Sequence, residues 1–145
     1  MALAKARAYC DKAERAHWDV RKKLTAWGMN YIEREKIIGY LIEHDLLNEQ
    51  RYAEAFAVDK FRFNKWGILK IQQALKAKGV SERNIRDALK RIDPEQYAIT
   101  IKEIIDKKAE KIKGVPEWQK KSKIAKYLIS RGYDSEIVWK LLGNL

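Results

Sequence analysis

The side chains here that could move a proton or hold a metal are few: two histidines, His17 and His44, one cysteine, Cys10, and carboxylates scattered among lysines. Acid–base or metal-assisted catalysis needs such groups gathered at one place, and the spacing does not gather them. His44, flanked by Glu43 and Asp45, is the best single candidate for a proton or metal role. A solvated histidine at a helix end explains the same three residues more simply. Cys10 on a helical face reads as a small buried residue before it reads as a reactive thiol. There is no G-x-x-x-x-G-K-[ST] loop, no G-x-G-x-x-G and no His/Cys pair with metal-ligand spacing. The residues therefore lead to the expectation of no catalysis, no metal and no cofactor, with a small enzyme built on His44 the least favoured reading.

The chemistry that is abundant is cationic. Thirty-one Lys and Arg stand against 20 Asp and Glu, a formal charge of +11, so a polyanionic partner comes before a small molecule. Residues 1–47 carry nine basic against seven acidic side chains, residues 48–92 eleven against five, and residues 93–145 eleven against eight. The middle third is thus the most basic. Arg51, Lys60, Arg62, Lys65 and Lys70 lie on or beside its first two helices, and a second cluster collects Lys107, Lys108, Lys111, Lys113, Lys120, Lys121, Lys123 and Lys126 with only Glu110 and Glu117 nearby. A solvated helix face is the plain account of any one of these lysines; the imbalance of the middle third shifts the weight toward contact. A face neutralising roughly six phosphates of a single strand gives a log–log salt slope of about −4. An acidic protein surface would use the same long side chains, so charge leaves the two partners undistinguished. Five tryptophans could stack on bases, but Trp27, Trp66 and Trp118 stand beside helix breaks, where a wedge between helices is expected.

The elements that carry these residues are helical. Two prolines, seven glycines, no run of alternating strand residues and many Ala, Leu, Lys, Glu and Arg predict an all-α chain. It also repeats. Leu24-Thr-Ala-Trp-Gly28, Leu75-Lys-Ala-Lys-Gly79 and Leu128-Ile-Ser-Arg-Gly132 are three helix-to-glycine junctions, each with a β-branched residue four positions before its leucine (Val20, Ile71, Ile124) and a capping residue two after its glycine (Asn30, Ser81, Asp134). Asn30 has Glu33 at capping-box spacing. These marks predict three tandem three-helix repeats, residues 1–47, 48–92 and 93–145, stacked into an elongated, curved molecule. In the first, the third helix uses Ile37, Ile38, Leu41 and Ile42; in the last, Pro94 follows Asp93 at a first helical position, a long helix ends before Gly114-Val-Pro116, and Ile137, Val138, Leu141 and Leu142 mark the final helix.

The middle repeat is the clearest. Tyr52, Phe56 and Phe63 with Ala53 and Val58 form a stripe at helical spacing, expected to face a core. Residues 64–67 interrupt the helix, since Gly67 costs about 1 kcal/mol in a helix interior. A second helix carrying Ile68, Ile71, Ala74 and Leu75 ends at Gly79, which can adopt positive φ, with Val80 supplying the hydrophobic contact of a Schellman cap. Ser81 then caps a helix bearing Ile85, Ala88, Leu89 and Ile92.

A chain of 145 residues buries roughly 70% of its unfolded surface. A lone cysteine excludes an intramolecular disulfide, and no apolar run approaches the ~20 residues of a membrane span. With no apolar core at its start resembling a signal peptide, the chain is expected in the cytoplasm, as a monomer, away from membranes.

The residues Arg51-Tyr-Ala-x-x-Phe56, Lys65-x-Gly67-x-x-Lys-Ile71 and Leu75-x-x-Lys-Gly-Val80 resemble the signature of the RecX family, bacterial regulators of the RecA recombinase. The resemblance is densest over residues 45–92, and the three-repeat layout extends it over essentially the whole chain. It implies a non-enzymatic protein of tandem three-helix repeats that binds the RecA filament on single-stranded DNA, with double-stranded DNA a further partner. Inhibition of filament growth, ATP hydrolysis, strand exchange and coprotease activity would follow. Arg51, Lys65 and Lys70 match basic places in the pattern, and Gly67 and Gly79 match as structural residues. A role for the lysines of residues 107–126 rests on charge alone. The alternative that the residues leave open is a stand-alone basic helical module that binds DNA.

Overall fold

The computed structural model describes residues 1–143, and among them the regular structure is entirely helical. Nine helices follow one another: α1 (Ala2–Lys12), α2 (His17–Ala26), α3 (Tyr31–Glu43), α4 (Glu49–Asn64), α5 (Ile68–Ala77), α6 (Glu82–Leu89), α7 (Pro94–Lys111), α8 (Glu117–Ser130) and α9 (Ser135–Leu142). The three glycine junctions end α2, α5 and α8 in the same way. Gly28, Gly79 and Gly132 have φ of 84°, 76° and 95°. At each, the glycine N–H donates to the carbonyl three residues back and the following N–H donates to the carbonyl of the junction leucine, Met29 to Leu24 at 3.0 Å, Val80 to Leu75 at 3.2 Å and Tyr133 to Leu128 at 3.1 Å. These are Schellman caps, which satisfy carbonyls that a helix end leaves without partners. The next helices start as the sequence predicts, on Asn30, Ser81 and Asp134, whose side chains accept from the N–H groups of Glu33, Asn84 and Glu136.

A fourth cap of this form ends α3 without glycine. Asp45 takes φ of 56°, and Leu46 N–H donates to the Leu41 carbonyl at 2.8 Å. An aspartate tolerates this conformation better than most residues.

The chain divides into two compact units, one of Met1–Phe56 with Ala74–Ala88, the other of Ala57–Gln73 with Leu89–Leu145. In the first, Ala6, Val20, Leu24, Ile38, Leu41 and Leu47 make the core, with Trp27 and Met29 packed on it. Lys78 of α5 reaches Asp19 of α2 at 2.6 Å, and the Asp19 carboxylate also accepts from Ala16 N–H. In the second unit, Ile101 and Ile105 of α7, Ile124 and Leu128 of α8, and Val138 and Leu142 of α9 are all at most 2% exposed. Truncating any of the junction leucines to alanine removes a fully buried side chain and costs about 2–5 kcal/mol.

Three expectations about burial change. Phe63 does not join the stripe of α4: it is 73% exposed, and Phe61 is buried in its place, its ring tilted against Tyr97 with centroids 5.6 Å apart. Trp118 is no wedge, being 72% exposed at the start of α8. Ile42 and Ile137 stand at the edges of their helices' apolar faces, 45% and 38% exposed, while Ile38, Leu41, Val138 and Leu142 are buried.

Candidate partner interface

The break between α4 and α5 carries the densest group of candidate residues. Lys60 of α4 and Lys70 of α5 both place their ammonium groups on Trp66, at 4.8 and 4.5 Å from the ring centroid. Such cation–π contacts order long basic side chains without neutralising them. Arg62 lies over exposed Phe63 at 5.6 Å. Lys65, the first residue after α4, is exposed and has φ of 56°, an uncommon conformation for a residue with a Cβ. Its carbonyl accepts the Tyr133 hydroxyl at 2.8 Å, and the Asn64 carbonyl accepts from the Arg131 guanidinium. The turn is thus held from its backbone side while its four cations point outward or onto aromatic rings.

The Tyr133 phenol is buried, which pushes its pKa well above the usual tyrosine value, so it remains a donor to Lys65. Tyr97 is shifted the same way by burial, and its hydroxyl accepts the Ile68 N–H at 3.0 Å at the start of α5.

Of the second cluster, Lys107, Lys111 and Lys123 are exposed, and Lys108, Lys120 and Lys121 are partly buried. Lys108 of α7 covers Tyr127 of α8 at 3.9 Å, a contact between the two helices that flank the Gly114 break. Ten of the eleven candidate cations therefore belong to the second unit.

Arg51 is the exception. Its guanidinium donates to Glu14 and to the Asp45 carbonyl, at 3.1 Å for the latter, and pairs with the Asp45 carboxylate at 3.2 Å. The hydrogen bond to Glu14 is the main cause of its raised pKa. Arg51 thereby ties α4 to the left-handed residue that ends α3 and to the segment after α1. The backbone N–H of Arg51 donates to Asn48, which caps α4.

The candidate acid–base residues are not brought together. His44 caps the end of α3 with its ring stacked on Tyr40 at 3.9 Å and Nδ1 2.9 Å from the Tyr40 carbonyl. His17 lies in α2, its pKa lowered chiefly by burial. Burial raises the Cys10 thiol, which reduces its thiolate. Among the described residues no three His, Cys, Asp or Glu side chains form a metal-binding group, and no helix is long and apolar enough to cross a membrane.

An all-helical chain of capped three-helix segments, with cations ordered on aromatic rings, has the makings of a binding protein. The family model for the second three-helix domain of RecX matches residues 48–89, and that for the third three-helix domain matches residues 95–142. The chain is 33% identical over 140 residues to the regulatory protein RecX of Clostridium perfringens strain SM101, covering 92% of this chain and 65% of that protein. It is 28% identical to that of Clostridium acetobutylicum, covering 99% and 66%. The chain thus spans about two thirds of the length of these relatives. A crystal structure of a regulatory protein RecX superposes with a TM-score of 0.85 at 26% identity, over 99% of this chain and 72% of the other. That of RecX from Lactobacillus salivarius shares the fold, with a TM-score of 0.91 at 23% identity over 99% and 94%. The chain belongs to the RecX family, a family of regulatory proteins that are not enzymes.

Proposed function

We propose that this protein regulates the RecA recombinase by binding its filament on single-stranded DNA, and that it thereby inhibits filament growth, ATP hydrolysis, strand exchange and coprotease activity. It works in the cytoplasm as a monomer without a cofactor, and double-stranded DNA is a secondary partner. Family membership supports the regulatory role. The observation that carries the mode of action is the pairing of Lys60 and Lys70 on Trp66 beside exposed Lys65, because cations held in place lose less side-chain freedom when a polyanion arrives. The lysines of α7 and α8 add further cations to the same unit. Arg51 supports the fold of the signature segment and contributes to contact least. In this reading the chain works as three modules, residues 1–47, 48–92 and 93–145, with the middle one leading.

The test is DNA-dependent ATP hydrolysis by the cognate RecA, titrated with this protein at fixed salt. Inhibition at less than one molecule per recombinase supports filament blocking. No inhibition, together with tight binding to naked DNA, replaces this reading with a stand-alone DNA-binding module.

A further inference from the structure

The second unit contains a groove of about 470 Å³ between the C-terminal half of α4 and the start of α7. One wall is made by Val58, Phe61, Arg62 and Lys65, spaced as one helical face. The facing wall presents Gln96 and Thr100, one turn apart on α7, and Ile92 lies between the walls' ends with Arg91 beside it. Asp93 also lines the groove, but its carboxylate accepts the Glu95 N–H and caps α7.

Two features ask for a ligand with two kinds of chemistry. The rim carries exposed Arg62 and Lys65, with Arg91 beside them, which favours an anion. Inside, Thr100 is 3% exposed, a buried hydroxyl on the groove wall; the residues next to it on the buried face of α7 are Tyr97 and Ile101. A buried hydroxyl beside an exposed amide, above apolar Val58 and Ile92, suits a flat heterocycle with a hydrogen-bonding edge. The Gln96 amide offers a donor and an acceptor side by side, the pattern that pairs with base edges. A bare phosphate or a carboxylate would leave the apolar part of so large a groove unfilled.

We propose that this groove receives the base of one nucleotide of a single strand, with its edge on Gln96 and Thr100 and its flanking phosphates on Arg62, Lys65 and Arg91. The proposal rests on the DNA-binding part of the reading above and adds a site where a base, and not only the backbone, is held. Single-strand recognition commonly combines such a splayed base with a cationic track.

The experiment compares two labelled strands of about 12 nucleotides, a length within the usual range of single-strand sites. One strand carries bases and the other is abasic at every position, and anisotropy gives their affinities. Wild-type protein is expected to bind the base-bearing strand about tenfold more tightly, the equivalent of one well-held base. The double variant Gln96→Ala, Thr100→Val is expected to bring the two strands within about twofold while its affinity for the abasic strand stays at the wild-type value. Gln96 is exposed, so Gln96→Ala alone, with a partial loss of preference, serves if the double variant fails to fold. Equal binding of both strands by wild type overturns the proposal. So does a preference that survives in the variants, which puts the base on exposed Phe63 or Trp118. Displacement by free ATP at the strand's own concentration assigns the groove to a soluble nucleotide, and equal displacement by oligoglutamate assigns it to an acidic peptide; either outcome overturns the strand. RecA ATP hydrolysis measured in parallel separates the two readings. Inhibition without base preference removes the groove site and leaves the regulatory function standing, whereas base preference without inhibition does the reverse.

Discussion

Gly67, just before α5, and Gly132, just after α8, meet backbone to backbone. The Gly67 N–H donates to the Arg131 carbonyl at 2.8 Å, and the Gly132 carbonyl accepts from Leu69 at 2.9 Å. A Cβ on Gly67 would lie 2.2 Å from the Gly132 carbonyl carbon, and one on Gly132 would lie 2.3 Å from the Lys70 Cβ. Gly67 therefore does more than interrupt a helix: it lets the third junction sit on the turn that carries Lys65 and Trp66.

Gly67→Ala should accordingly lower stability by about 2–3 kcal/mol, because backbone and not a movable side chain stands in the way. Gly79→Val should cost about 1–2 kcal/mol through its positive φ alone, since nothing lies within 4 Å of its Cβ position. Gly39 lies inside α3 with open space around it, so Gly39→Ala should stabilise by about 0.5–1 kcal/mol. Urea unfolding of the three variants checks the order. A Gly67→Ala protein as stable as wild type removes the close approach.

What the sequence made legible is what local physics decides. A leucine, a glycine and a capping residue at fixed spacing produce the same hydrogen bonds wherever they occur, and so all three junctions and their following helix starts could be read in advance. Burial on α4 is decided by neighbours far along the chain. Phe61 rather than Phe63 is buried because Tyr97 of α7 stands beside it, and no periodicity within α4 contains that fact. The left-handed residues Asp45 and Lys65 were equally hidden, since neither is glycine. A basic position in a signature likewise does not tell whether its charge faces out: Arg51 turns to Glu14 and Asp45, while Lys65 is exposed.

Arg51 and Glu14 should show coupling in a double-mutant cycle. Arg51→Ala is expected to cost about 1 kcal/mol, as for a partly exposed ion pair with added hydrogen bonds. Once Glu14→Ala is present the cost should shrink by about half, Asp45 remaining. Inhibition of RecA should be nearly unchanged for Arg51→Ala at temperatures where it is folded. A large loss of inhibition with full stability would return Arg51 to the contact surface.

Alkaline pH should weaken the fold through its buried phenols. Burial raises the Tyr52 pKa to about 12 and moves Tyr97 and Tyr133 in the same direction. The folded state then holds these protons after the unfolded chain, titrating near pH 10, has lost them. Their contribution is full below pH 10 and is lost as pH rises toward 12. Tyr133→Phe should flatten this fall in melts taken from pH 9 upward, although it also loses the hydrogen bond to Lys65. An unchanged slope in both Tyr133→Phe and Tyr52→Phe would show that these phenols do not set the alkaline limit.

Lys65 allows the roles of charge and fold to be separated at one position. Lys65→Gly relieves a left-handed conformation worth about 1–2 kcal/mol and adds about 0.5–1 kcal/mol of unfolded-state freedom, so stability should hold or rise by up to about 1.5 kcal/mol. Its cation is nevertheless gone, and on single-stranded DNA the salt slope should fall by about 0.7 from an initial value of about −4. Reversing Lys65 and Lys70 to Glu together should weaken RecA inhibition more strongly while the helical circular dichroism signal remains. Should inhibition and salt slope both stay at wild-type values in the reversed protein, these lysines are a solvated face and the contact surface lies elsewhere, on the lysines of α7 and α8.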